Sequence, residues 1–329
     1  MKNPKPGPLR RYSALSAVLA DAGLKFVDVG GRGEAFPGIV TLAEFAHYYV
    51  SEPDGAEAAR LRERLPLAAN WRGVTVFTDA IAARPGTALL HVTQRPGMSS
   101  LLEPDASVAD QFYLGEAYAV VNKVPVSTIT LDAAAARYEF EDASFLKMDT
   151  QGTELDILQS GPRLVRDSLL AVHTEVHFRP FYKQQPLFAE VDHFLRSHGF
   201  SLLSLSRTSL RRRGYDAALF SRRATTWAHC LYIREPDQLL RSSVVNPARG
   251  LVRLLALAIA LKHFDLAFEV VADLGEQGLL TGHDIAAVAV DVRGAAVDGT
   301  RYAQRKTEEQ QSAAENLFAG SRRDNRRID

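Results

Sequence analysis

The chain has 329 residues, enough for roughly two domains or for one α/β domain with additions. Hydrophobic residues make up 46% and charged residues 24%, which excludes a mostly disordered or fibrous chain. Thirty-nine Lys+Arg balance 39 Asp+Glu, so the global basic field of a nucleic-acid binder is absent and no nucleic-acid partner is expected.

The lone cysteine, Cys230, excludes an intrachain disulfide framework and any multi-cysteine metal site. Residues 1–11 are basic and Pro-rich, with no apolar stretch after them. The longest apolar run, residues 254–261, is eight residues against the ~20 that a membrane span needs. A cytoplasmic protein without membrane insertion is expected.

The first 23 residues read as a tail ending in a helix over 12–22. Short apolar runs separated by helical patterns follow. Strands are predicted at 25–29, 46–50 and 74–77, with a helix over 55–65 between the second and third. Strands alternating with helices imply βαβ units and a mainly parallel sheet. Residues 87–92 are predicted to pair with 74–78 around the turn signal Pro85-Gly86, and 120–129 read as extended. A helix over 131–138, a strand over 144–148 and a helix over 152–159 closed by Gly161-Pro162 come next. A strand over 169–176 precedes a helix over 186–198, whose Leu187, Phe188, Val191, Phe194 and Leu195 recur at helical spacing. Residues 200–205 and 226–233 read as final strands joined by a long basic loop. From 235 the pattern turns helical, with candidates at 251–261 and 266–274. Residues 300–329 are polar and charged, the composition of a disordered tail. The expected units are therefore 1–23, an α/β domain over 24–234, a helical extension over 235–299 and the tail.

The sharpest signal is Phe26-Val27-Asp28-Val29-Gly30-Gly31-Arg32-Gly33-Glu34, a strand that ends in an acid and a glycine-rich loop. Glycines let the backbone approach a ligand and adopt positive φ; a tight strand-to-helix turn explains them equally well. Glu52 stands 22 residues after Gly30, where nucleotide-binding α/β folds place the acceptor for ribose hydroxyls. Asp54, two residues on, suits the cap of the next helix. The loop lacks the dinucleotide fingerprint, because Arg32 and Ala35 occupy the positions of its second and third glycines, and it is not a P-loop. That counts against a dehydrogenase. An adenosine ligand without a pyrophosphate cradle fits better, which points to S-adenosyl-L-methionine.

The stretch Ser144 to Leu158, reading SFLKMDTQGTELDIL, resembles the "FLKIDvEGaElevL" signature of the FkbM-type methyltransferases. Further pieces agree in order: Phe26 to Gly33 with the family's first motif, Ser99 to Pro104 with its "SSLLEP" loop, and Val126 to Leu131 with its "V-x-TLD" stretch. Thr174 to Phe178 and Phe188 to Phe200 are similar to its closing strand and helix. The resemblance spans roughly 24–233. It implies a Rossmann-like class I methyltransferase: an α/β fold with a seven-stranded, mostly parallel sheet and an antiparallel last strand. It also implies O-methylation of sugars, glycans or natural products. Three positions depart from the loop pattern D-V-G-A-N-x-G: Gly31 replaces Ala, Arg32 replaces Asn, and Glu34 stands at the last Gly, which is expected to weaken cofactor binding. Gln151 stands where the family more often has Glu. These departures leave a non-catalytic adenosine-ligand-binding or scaffold protein as the alternative.

The residues expected at the cofactor are Asp28, Gly30, Gly31, Gly33, Glu52, Asp79 and Asp149. Those expected to carry chemistry are Asp149, Glu175, His177 and Lys147. Asp149 ends the fourth main strand and suits the methionyl amine, the acceptor hydroxyl, or a cap for the helix that follows. Lys147 lies on the same strand face and needs a buried partner, with Asp149 or Glu175 at hand, whether its role is structural or catalytic. His173, Glu175 and His177 alternate along one face. His177 has an ordinary pKa of ~6.5, suited to a general base near neutrality.

No metal is expected, although Asp149, Glu175 and His177 are acceptable ligand types. Arg179, Tyr182 and Lys183 are expected at a pocket mouth, and Met98-Ser99-Ser100 in a lid. Arg207 and Arg211 to Arg213 form a basic cluster with the character of a solvated charge run. Trp71, Trp227 and Cys230 are read as core residues. The partners expected are a small-molecule or glycan acceptor and a second copy meeting through the C-terminal helices.

Overall fold

The computed structural model describes residues 9–214, 221–241 and 246–298. The charged tail assigned to 300–329 lies outside them. Ten strands follow in chain order. They are β1 (Leu24–Val29), β2 (Ala46–Ser51), β3 (Gly73–Phe77), β4 (Ala80–Ile81), β5 (Gly86–Thr93), β6 (Val120–Ile129), β7 (Phe145–Met148), β8 (Ala171–His177), β9 (Phe200–Leu210) and β10 (Ala224–Arg234). Seven form one sheet in the order β3-β2-β1-β7-β8-β10-β9. All run parallel except β10, which is antiparallel to both neighbours. This is the seven-stranded, mostly parallel sheet with an antiparallel last strand that the resemblance implies. The strand order reverses between β1 and β7, and in such sheets the ligand crevice lies there, past the carboxyl ends of the strands.

Alternation along β1 explains the two layers. Leu24 and Phe26 enter one core and Val27 and Val29 the other, on opposite faces of the sheet. The second core holds the helices Leu131–Tyr138, Glu154–Gln159 and Phe188–Ser197. The first holds the N-terminal helix Ser13–Ala20 and the C-terminal helices Pro247–Ala260 and Phe264–Glu276. Buried Arg253 ties the C-terminal part to the sheet. It donates to the carbonyls of Ala22 (2.9 Å), Gly23 (2.8 Å) and Asp142 (2.7 Å), and to the Asp142 carboxylate (2.6 Å). Nearly all of Leu251 to Ala260 is buried in the chain's own core. Among the described residues of this part, Leu279, Val290 and Val297 are the large apolar side chains left exposed.

Two expectations are corrected. Residues 87–92 do not pair with 74–78; β5 runs antiparallel to β6, and short β4 lies on the other side of β6, in a separate three-stranded sheet. The ten extended residues of β6 offer pairing on both edges and bury Val126 and Ile129 there, so β3 is left as the edge of the main sheet. Gly161-Pro162 does not only close a helix. Pro162 opens a further one, Pro162–Asp167, since its missing N–H costs nothing at the first helical position. Among the described residues no helix is long and apolar enough to cross a membrane.

Candidate active site

A cleft of about 350 Å³ opens at the β1/β7 switch point, within the usual range for ligand sites. Val29, Gly30, Glu52, Asp149 and Gln151 line its floor, and Leu90, Val92 and Ser99 of the small sheet and its loop cover it. Gly30 has φ +73°, and a Cβ there would sit 2.3 Å from the backbone oxygen of Asp149. At Gly31 a Cβ would sit 2.2 Å from the Val50 side chain, which explains glycine where the resembling family has alanine.

Glu52 is 4% exposed and lines the cleft. Its Oε1 accepts the Asp54 N–H (2.9 Å), and among the described residues nothing donates to Oε2. Burial raises its pKa against the opposing effects of the Asp54 N–H and Arg32. Asp54 caps the helix Gly55–Ala68 by accepting from the N–H groups of Ala56 (3.0 Å) and Glu57 (3.2 Å), as its position suggested. The same helix clamps the glycine loop. Arg32 donates to Asp54 (2.7 Å), the Gly33 N–H donates to Glu57 (3.4 Å), and Arg64 donates to the Gly33 carbonyl. Glu34 is exposed and does not line the cleft.

Past β7 the chain turns through Gln151 (φ +60°) and Gly152 (φ +106°). Glu154 holds this turn. Its carboxylate accepts from the Thr150 N–H (2.8 Å), the Thr150 hydroxyl (3.0 Å) and the Gly152 N–H (2.9 Å). Burial pushes Glu154 up to about 7 despite those donors. Asp149 is therefore not the cap of the following helix; it lines the cleft, and its carboxylate accepts from Gln151 Nε2 (2.8 Å).

Of the four residues expected to carry chemistry, only Asp149 lines the cleft. Lys147 pairs with Asp28 (2.9 Å), not with Asp149 or Glu175 as expected, and donates to the Gly30 carbonyl (3.2 Å). Register explains this: Asp28 of β1 stands directly beside Lys147 of β7. Burial opposes the charge of Lys147, but the carboxylates of Asp28, Asp149 and Glu175 together hold its pKa above the usual value. Asp28 also accepts from the Tyr48 hydroxyl (2.5 Å), so it lies beneath the loop and is not a wall of the cleft.

Glu175 and His177 are buried under a cap formed by residues 96–118. Tyr118, Phe181 and Tyr182 form a small apolar cluster there, packed against Met98. Tyr182, expected at the mouth, is fully buried, and its one hydroxyl hydrogen is shared between the Met98 carbonyl (2.8 Å) and Gln151 Oε1 (3.0 Å). Arg179 and Lys183 are exposed, and Lys183 pairs with Glu103 (3.1 Å). The Ser100 hydroxyl fastens the covering loop to the Gln151 carbonyl (2.8 Å).

Burial lowers His177 to about 4, far from a base poised at neutrality. Its folded pKa lies below the unfolded ~6.5, so its contribution to stability is present above 6.5 and lost as pH falls toward 4. Replacing His177→Gln removes that linkage. Urea denaturation at pH 7 and pH 4.5 is expected to show the variant gaining on the wild-type chain at the lower pH, by up to roughly 3 kcal/mol. An unchanged gap between the two proteins contradicts the buried neutral ring.

Asp79 is also not at the cleft. Its carboxylate accepts from Ser127 (2.7 Å), Tyr138 (2.5 Å) and Arg137 (3.3 Å), which joins the small sheet to the helix Leu131–Tyr138. Gly31 and Gly33 shape the loop without lining the cleft. Cys230 is buried, and burial pushes its thiol up to about 12. Among the described residues no three His, Cys, Asp or Glu side chains converge as a metal site. Sequence reasoning assigned no role to Gln151, Ser100, Tyr182 or Glu154 in holding Asp149. The signal available was the left-handed-prone pair Gln151-Gly152 inside the quoted signature.

The sequence profile of the methyltransferase FkbM domain matches residues 46–202. No curated protein matches the chain. Among solved structures, the magnesium protoporphyrin IX methyltransferase of Synechocystis PCC 6803 with bound SAM is 12% identical, covering 71% of this chain and 86% of its own, at TM-score 0.32. A putative tRNA (m1A22) methyltransferase of Streptococcus pneumoniae is 10% identical, covering 86% of this chain and 98% of its own, at TM-score 0.33. A putative RNA methyltransferase of Pyrococcus horikoshii is 14% identical, covering 71% and 92%, at TM-score 0.27.

Proposed function

Residues 46–202 are a methyltransferase FkbM domain, and on that premise we propose that this cytoplasmic chain uses S-adenosyl-L-methionine to methylate a hydroxyl oxygen of a sugar, glycan or natural product. The observation that carries the donor is Glu52: a buried carboxylate on the cleft wall with one oxygen satisfied by the chain and the other open. Such a group accepts from ribose hydroxyls. The close backbone at Gly30 and the apolar side chains of Ile81, Leu90 and Val92 suit an adenosine without a pyrophosphate. The donor supplies a sulfonium methyl for in-line displacement. The cleft orients it, the covering loop excludes water, and Asp149 takes the acceptor proton.

Titration calorimetry with S-adenosylhomocysteine tests the donor. Glu52→Ala is expected to lose at least about tenfold in affinity, ~1.4 kcal/mol, with the fold unchanged. Equal affinities would remove Glu52 from the site. Incubation with labelled donor and a panel of sugars, followed by mass spectrometry, tests the acceptor; methyl found on nitrogen or carbon would overturn the O-methylation reading.

A further inference from the structure

The side-chain amide of Gln151 stands between two carboxylates. Its Nε2 donates to Asp149 Oδ1 (2.8 Å) and to Glu175 Oε2 (2.8 Å), while Oε1 accepts from the Tyr182 hydroxyl (3.0 Å). Turned over, the amide would set its oxygen against both carboxylates, so the neighbours fix its orientation. The backbone is held as well: φ is +60°, and the Ser100 hydroxyl donates to the Gln151 carbonyl.

Other titratable groups approach from each packed element. Lys147 on β7 acts on Asp149 and Glu175 through space, and Glu154 lies behind the turn. His177 on β8 is 3.7 Å from Glu175, His229 on β10 is the cross-strand partner of Glu175, and Tyr118 of the cap lies behind Tyr182. Among the described residues, Gln151 is the one side chain that donates a hydrogen bond to either carboxylate. A glutamate at 151 would have no hydrogen to give unless protonated, and one proton serves one carboxylate only.

We propose that Gln151 is a positioning residue: it holds the Asp149 carboxylate toward the donor cleft without a proton, a task the family's more usual glutamate would perform only when protonated. This rests on the donor reading above, and Gln151 acts through Asp149 without touching the ligand.

The test compares wild type, Gln151→Glu and Gln151→Met. S-adenosylhomocysteine affinity is measured by calorimetry from pH 6 to 9, and the melting midpoint over the same range without ligand. For Gln151→Glu, the ratio of its dissociation constant to wild type is expected to grow by about tenfold or more from pH 6 to 9. For Gln151→Met the ratio is raised and flat. The melting gap of Gln151→Glu should widen with pH. An acid whose folded pKa is raised above its unfolded value stabilises at low pH and loses that contribution as pH climbs through the folded pKa. A Gln151→Glu protein that runs parallel to wild type in both measurements overturns the proposal. If wild type itself fails to bind S-adenosylhomocysteine, the donor reading falls, and the melting series still reports on the carboxylate arrangement.

Discussion

Replacing Asp28 with asparagine is expected to destabilise the chain by about 3 kcal/mol, the low end for breaking a buried ion pair. Asp28 is 1% exposed, and its two oxygens face Lys147 at 2.9 Å and Tyr48 at 2.5 Å. Asparagine keeps the shape but leaves the Lys147 ammonium short of its nearest counter-charge in a place where burial penalises charge. Asp149 and Glu175 still act on Lys147 from further off, which is why the low end is expected. Urea denaturation of Asp28→Asn, Lys147→Met and the double variant closes the cycle. The double variant should recover a substantial part of the loss, and strictly additive losses would show that the two residues do not act as a pair. Donor affinity of the folded fraction should fall less than tenfold, because the carboxylate lies under the glycine loop and does not line the cleft.

Gly30→Ala has the opposite profile. A Cβ there meets the backbone oxygen of Asp149 at 2.3 Å, and the alanine must hold φ +73°. The left-handed conformation alone costs roughly 1–2 kcal/mol. The clash costs more, since neither partner is a flexible side-chain tip. The Asp149 N–H is bonded to the Val29 carbonyl (3.1 Å) and the Gly30 N–H to the Ser51 carbonyl (3.1 Å). Relief must therefore prise apart the ends of β1 and β7, where Val29 and Asp149 line the cleft. S-adenosylhomocysteine binding should weaken by about a hundredfold or more, ~2.7 kcal/mol. Gly33→Ala is the control. Its φ is +94° but nothing lies within 4 Å of the added carbon, so strain alone applies and donor binding should survive. Equal losses in the two variants would mean that the close approach at Gly30 is not what shapes the cleft.

The main sheet was legible because its strands carry near-continuous apolar runs with helical spacers, the pattern of buried parallel strands. Glu52 and Asp149 were legible because fold and spacing put them at strand ends on one edge. Pairing was not legible where two partners were equally plausible: the β5 residues could join β3 or β6, and only the burial of Val126 and Ile129 decides. Lys147 shows the other gap. Sequence distance favours Asp149, two residues away, whereas cross-strand register delivers Asp28 from 119 positions earlier. Cover is a third gap. Nothing in the alternation of His173, Glu175 and His177 tells that Tyr118, Phe181 and Tyr182 close over Glu175 and His177.

The helix Pro247–Ala260 fills the core beneath Leu24 and Phe26, and Arg253 bolts it to Ala22 and Gly23. The strand made first is thus covered by a segment made more than 200 residues later. During synthesis from the N-terminus, the helices Ser13–Ala20 and Gly55–Ala68 reach that face early, but its core stays incomplete until the C-terminal helix has left the ribosome. A nascent chain halted near residue 234 carries every strand among the described residues and the glycine loop, yet lacks the C-terminal helices that complete the core around Leu24 and Phe26. Exposed apolar faces of that kind are what chaperones bind and what aggregates. Folding of the half that carries the cleft is therefore tied to completion of a part of the chain that does not line it.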